Sequence, residues 1–491
     1  MKDQIFRLGK NAMIYGAGTM LSRFIYLLLL PLFTAYLTPT DYGVLALLAL
    51  LAMVAHSVFS LGLSAAIGPN YFEGNDTKRK FETVWTAFLI LLGSTTILTS
   101  IAWLFPRELS MLALQSPEYG PLVSITLLGC AVGILATPFT QRIQFEERAK
   151  LFVSITLTTS LIAITLSVVT VIFLGWGVRG IVISQLIGQM STFLFFFITG
   201  SRETRFIYSK TIAKDLLRLG IPFIPSFAFL FILMQSNQYI LQRFESLDQV
   251  GIYSIGFNIG TALNLVVGAL STAWYPFFMS YRERQKEAEI LFGRIFTYYI
   301  FFVGYLWLSF FIFAKPVVMF MTQTAFHSAY QVVGMVAGAY FFIGIYMLLL
   351  PGMYYRKEVG AQSLVQGIAA FISIIFNVWM VYLFGLFGSG LSLLTGHILM
   401  ALFTHCWNQY KKKTYIRIQY QWRRLLTHSP IFFVIPMLCL SIPPQRIELE
   451  IFISVFCFTI LTIFTYINLN KSERLQFSSL KSIVSLIVER R

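Results

Sequence analysis

Charge is scarce in this 491-residue chain: Asp, Glu, Lys and Arg make up only 12% of it, against 57% hydrophobic residues and a mean hydropathy of +0.73. A set of soluble domains would need about twice that share of charged groups to face water. Cysteine is also scarce. Cys130, Cys406, Cys439 and Cys457 all fall in apolar stretches without Cys-x-x-Cys or Cys/His spacing, so neither a disulfide framework nor a zinc site is indicated, and no metal or cofactor is expected. Signatures of chemistry are missing as well. Gly9-Lys10 is followed by Asn11, so it opens no phosphate-binding loop, and no His-Glu-x-x-His or Gly-x-Ser-x-Gly occurs. ATP hydrolysis by the chain is therefore not expected, nor is an enzyme.

What the chain does have is hydrophobic length. A bilayer core of roughly 30 Å takes about 20 apolar residues per helix. Cutting at polar interruptions gives fourteen runs, at 11–37, 43–69, 83–105, 121–141, 151–175, 180–200, 218–242, 250–279, 292–314, 329–354, 360–384, 388–408, 428–442 and 450–468. The expectation is an all-α polytopic membrane protein of about 14 transmembrane helices. The net charge of +16 needs no nucleic-acid partner, because the basic residues sit in connections. Of the 37 Lys and Arg, 31 fall in the two terminal segments and the even-numbered connections, counting Arg218 and Arg294 at the adjoining span ends; five fall in the odd-numbered connections, and Arg23 alone lies deep within a span. Cytoplasmic loops carry the basic excess, so both termini are expected in the cytoplasm. The tail 471–491, with Leu480, Ile483, Val484 and Ile487 on one helical face, reads as an interfacial helix or as a solvated tail.

The chain also repeats. Arg7-Leu8-Gly9 has a counterpart in Arg218-Leu219-Gly220, and the Thr38-Pro39-Thr40-Asp41-Tyr42-Gly43-Val44 break has one in Asp248-Gln249-Val250-Gly251-Ile252-Tyr253. The Gly175 to Gly180 connection likewise matches Gly385 to Gly390. Six spans per half make the halves parallel, which predicts two six-helix lobes, 1–210 and 211–410, that rock about a central cavity. Residues 411–491 would add helices thirteen and fourteen and the tail.

An ionisable or amide group at mid-membrane is a functional candidate by default. Arg23 lies near the middle of span one, and His56 and His397 lie in spans two and twelve. Gln235, Asn237 and Gln238 cluster on span seven with Arg243 towards its outer end, and Asn258 sits on span eight; further amides are Gln185, Gln189, Gln366 and Asn377. All 21 acidic residues lie in connections, tails or helix ends. A cavity with guanidinium and amides but no carboxylate suits an anionic, sugar-bearing ligand. Arg23, Gln235, Asn237, Gln238, Arg243 and Asn258 are the candidate lining. The alternatives are a buried arginine tied to helix carbonyls and interhelical hydrogen bonds between amides. For His56 and His397 a hydrogen-bonded core role is preferred over proton coupling.

The pattern Leu8-Gly9-Lys10-Asn11, Ser22-Arg23, Leu37 to Gly43, Leu61-Gly62-Leu63, Asn70-Tyr71-Phe72-Glu73 and Gly385 to Gly390 resembles the polysaccharide transporter family. That family belongs to a flippase superfamily which also holds the multidrug and toxic compound extrusion proteins and the lipid II flippases. The resemblance implies a V-shaped, two-lobed fold. It also implies movement of an undecaprenyl-pyrophosphate-linked oligosaccharide across the bacterial inner membrane for O-antigen, capsule or a related polymer. Implied partners are that lipid, the membrane lipids, and a polysaccharide polymerase and chain-length regulator. Two departures bear on cargo. Drug-extruding relatives carry a functional Asp in the first lobe that is missing here, and Arg23 is followed by Phe24-Ile25-Tyr26-Leu27 rather than by the further charges of lipid II flippases. A drug or cation exporter and a lipid II flippase remain the alternatives.

Overall fold

The computed structural model describes Ile25 and residues 27–73, 76–202, 204–356, 358–410, 418–441 and 446–468. Most of span one, including Arg23, together with Lys411-Lys412-Lys413 and the tail 471–491, lies outside them. The described residues form helices and connections, with no strand.

Local chemistry places the helix starts. Span one ends as Leu30–Tyr36, and Leu37 is extended. Thr38 then caps span two: its hydroxyl accepts from the Asp41 N–H at 3.2 Å, while the Asp41 carboxylate accepts from the Thr38 N–H at 2.9 Å, with Pro39 in the first turn. Span two is Pro39–Phe59 continued by Leu63–Phe72, and Leu61 and Gly62 between them are left-handed. Spans three to six are Thr77–Leu104, Gly120–Phe145, Ala149–Val168 (continuing through Val169–Phe173) and Gly177–Ser201. Span seven is Ile224–Phe244. Span eight joins Leu247–Gly260 to Asn264–Ser280, span nine is Gln285–Ile312 and span ten is Tyr330–Leu349. Span thirteen is Ile431–Ser441 and span fourteen Ile447–Asn468.

Among the described residues ten helices are long and apolar enough to cross a membrane. One of these, Gly360–Tyr410, contains two spans. A straight helix of that length would be about 77 Å long and would hold residues 377 and 392 about 22 Å apart. Instead, the Ser392 hydroxyl lies 2.8 Å from the Asn377 side-chain oxygen, and the Trp407 indole donates to Glu358 at 3.0 Å. The chain reverses at Gly385, whose φ of +51° is open to glycine at little cost, so spans eleven and twelve form an antiparallel helical hairpin. The reversal falls between the two apolar runs 360–384 and 388–408.

Two connections differ from expectation. Pro106–Leu114 is a short helix between spans three and four, and Lys210–Gly220 is a separate amphipathic helix, so span seven starts later than 218. Within Lys210–Gly220, Ile212, Ala213 and Leu216 are buried while Lys210, Lys214 and Arg218 are exposed; this face has a polar side that no membrane span would tolerate.

Spans two to six pack on one another, with span four central to them, and spans seven to twelve pack around span ten. Spans thirteen and fourteen lie against span nine and the helix Ala314–Met321. The halves meet mainly where spans two and eight begin, at the end poor in basic residues. There Gly43 rests on the Leu247 carbonyl and Gly251 on the Pro39 carbonyl, so closely that a methyl on either glycine would collide with backbone. The Thr40 hydroxyl donates to Asp248, 208 residues further on, and Tyr42 meets Phe326 edge to face at 5.3 Å.

Gly43→Val or Gly251→Val should destabilise the protein by about 1–3 kcal/mol through overpacking. The change would appear as a lower melting temperature of the detergent-purified protein. Gly93→Val, where nothing lies within 4 Å of the added carbon, should leave it unchanged.

Candidate functional site

The intramembrane polar residues divide between two places, one in each half. In the second half Asn237 comes from span seven, Asn377 from span eleven and Ser389 and Ser392 from span twelve. The Ser392 hydroxyl lies 2.9 Å from the Asn237 side-chain oxygen, 2.8 Å from that of Asn377 and 3.0 Å from the Ser389 carbonyl. A hydroxyl has one proton, so it satisfies one of these three acceptors at a time. Gln238 and Gln242 are buried beside them on span seven, and Tyr253 is buried on span eight. Both polar atoms of the Gln242 amide and the Asn237 and Asn377 amide nitrogens have no hydrogen-bond partner among the described residues. Native proteins meet such groups with ordered water or a bound species.

In the first half His56, Gln185 and Gln189 line a cavity of about 600 Å³ between spans two, four, five and six. His56 and both glutamines are exposed, and their side chains make no hydrogen bond or ion pair among the described residues. These residues and the Asn237 cluster do not form one site. Periodicity explains the first cavity: Gln185, Gln189 and Thr192 recur on one face of span six, and Ala49, Met53 and His56 on one face of span two.

The remaining candidates lie elsewhere. Arg243 is at the basic-poor end. Its guanidinium donates to the Leu112 carbonyl at 3.1 Å and to the Tyr239 hydroxyl, Tyr239 donates to the same carbonyl at 3.2 Å, and the charge lies 4.8 Å from the Tyr239 ring centre. With its amide turned so that the oxygen faces Arg243, Gln115 accepts from the same guanidinium at 3.2 Å. Arg243 thus ties span seven to the helix Pro106–Leu114 of the other half. Asn258 is exposed on span eight and Gln235 is half-buried. His397 is 1% exposed, and its Nδ1 lies 2.8 Å from the Leu393 carbonyl of its own helix. Arg23 lies outside the described residues. Sequence reasoning missed Gln242, Tyr253, Ser389 and Ser392. The signal available was the i, i+4 spacing of Gln238 and Gln242 on a span already rich in amides.

A helical bundle of crossing-length spans with a polar cavity inside it defines a multi-pass membrane protein. Residues 8–282 match the family model described as polysaccharide biosynthesis protein, more than half of the chain, and the chain belongs to that family. Over 288 residues it is 23% identical to a Haemophilus influenzae protein of the Lsg locus, covering 56% of this chain and 67% of that one. Among solved structures, the lipid II flippase MurJ in an inward closed conformation matches 92% of this chain and 99% of its own, with a TM-score of 0.71 at 15% identity. A multidrug resistance MATE family transporter of the MOP superfamily, inward-facing, gives 0.66 at 15% identity over 80% of this chain and 96% of its own. An outward-facing transporter of that description gives 0.56 at 18% over 84% and 96%. These likenesses establish a shared fold.

Two outcomes follow from this geometry. Ser392→Ala removes the hydroxyl shared by two buried amides and should lower stability by about 1–3 kcal/mol, read as a fall in melting temperature. Arg243→Ala removes the tie to Leu112. Labelling of Tyr239→Cys by a membrane-impermeant maleimide should then rise severalfold in Arg243→Ala over the Arg243 background; equal labelling would mean that the tie does not hold that end shut.

Proposed function

We propose that the chain is a flippase for an undecaprenyl-pyrophosphate-linked oligosaccharide in a bacterial inner membrane, with both termini in the cytoplasm. In this reading residues 1–210 and 211–410 are two lobes that rock to turn a cavity between them from the cytoplasm to the outside, and 411–491 is an appended unit. The observation that carries it is the sign of the interior. The polar groups placed at mid-span are amides, hydroxyls and histidine, Arg23 is the one basic residue the sequence puts near the middle of a span, and the acidic residues keep to connections and helix ends. Exchange of a cation through the membrane would call for an intramembrane carboxylate. A pyrophosphate calls for a guanidinium, and its glycan for amides.

Arg23 is assigned to the pyrophosphate, with the polyprenyl tail remaining in lipid. An inside-negative potential favours export of each uncompensated negative charge by about 2.3 kcal/mol per 100 mV. Membership of a polysaccharide biosynthesis family supports this cargo over a drug, and the fold shared with a lipid II flippase supports a lipid-linked one.

The test is the sidedness of the lipid-linked oligosaccharide in host cells that lack this protein and have no second flippase. Precursor should accumulate on the cytoplasmic face, and wild type should clear it while Arg23→Ala does not. Clearance by both proteins would remove Arg23 from the site, and normal sidedness without the protein would end the flippase reading.

A further inference from the structure

We infer that the cavity between spans two, four, five and six is a carbohydrate subsite that takes uncharged sugar of the cargo. This inference rests on the flippase reading above. Its first support is size. About 600 Å³ falls in the range of roughly 300–1,000 Å³ common to small-molecule sites.

The second support is chemistry. Gln185 and Gln189 stand one turn apart on span six, and each offers a planar donor and acceptor pair at a spacing that suits neighbouring hydroxyls. On span four Thr126 also lines the cavity, and its buried hydroxyl has no partner among the described residues, although most helical Ser and Thr here, such as Thr140 and Thr156, bond back to the carbonyl four residues earlier. Among the described lining residues none is Asp, Glu, Lys or Arg, and His56 is the one imidazole, so they offer no permanent counter-charge to a cation or a phosphate. A hydrocarbon chain there would strand the amides and the threonine hydroxyl in an apolar medium, at a cost for each. A pyranose meets both demands, with hydroxyls for the glutamines and an apolar ring face for Met53 and its alanine neighbours.

The third support is packing. A carbon added at Gly133 would lie 3.0 Å from the Gln189 side-chain oxygen, so the absence of a side chain at Gly133 leaves that amide its room. Enlarging this position narrows the cavity and crowds the Gln189 amide while both glutamines stay in the sequence.

The experiment uses the full chain in lipid nanodiscs and two probes. One is the lipid-linked oligosaccharide pool extracted from host cells deleted for this protein; the other is bare undecaprenyl pyrophosphate. Wild type should bind the glycosylated pool about tenfold more tightly, the difference worth one or two hydrogen-bonding side chains. Gln185→Leu combined with Gln189→Leu, and separately Gly133→Leu, should bring the two probes within about twofold of each other. Binding of the bare lipid and monodisperse elution should be unchanged in both variants. Retention of the wild-type preference by either variant overturns the subsite, as does equal binding of both probes by wild type or loss of both probes together in the variants. Failure of wild type to bind either probe defeats the flippase reading itself, and the subsite with it.

Discussion

A polar group carried into hydrocarbon needs a partner or a cavity, and this requirement accounts for most of the interior. Arg142 on span four is 6% exposed; its guanidinium pairs with Glu146 at 2.7 Å and bonds the Gly200 carbonyl at 2.5 Å and the Arg202 carbonyl at 3.1 Å, closing the free end of span six. Lys315 and Glu450 approach to 3.9 Å where span fourteen meets the second half. His397 turns to its own backbone. Once these groups are accounted for, the unmet ones stand out: the amides and hydroxyls of the first-half cavity and the Asn237 cluster of the second.

The crossing of spans two and eight depends on the same economy of volume. Two glycines at corresponding positions of the repeat let two backbones touch, Gly43 on Leu247 and Gly251 on Pro39, and each glycine belongs to the helix whose first turn receives the other. Such a contact is self-complementary in the manner of a two-fold interface. Tight backbone packing of this kind takes the place of the hydrophobic driving force that is absent between helices in lipid. It joins the halves at one end and leaves their chemistry free to differ elsewhere.

They do differ. Span six presents its amides to an open cavity, whereas span seven, which opens the second half, buries Asn237, Gln238 and Gln242 against the hairpin of spans eleven and twelve. The repeat in connections therefore marks a common backbone rather than a common set of ligands. Gly175 and Gly385, matched in the repeat, both turn the chain with positive φ, at +65° and +51°, although the residues around them point to different neighbours.

Much of the fold could be read in the chain itself. Apolar length put each run after the first over a described helix, because the bilayer sets one length for all of them, while most of the first run lies outside the described residues. It erred where a polar face replaced a span, at Lys210–Gly220, since an apolar run beginning at Arg218 hides the change from an interfacial helix to a crossing one. The residues at issue in the site were also legible by type, as amides and histidines too costly to leave in lipid. Their grouping was not. Helical rotation is set by packing between distant segments, so only the tertiary structure could put His56 with Gln185 and Gln189, join Asn237 to Asn377 through Ser392, and carry Arg243 away to the Leu112 carbonyl.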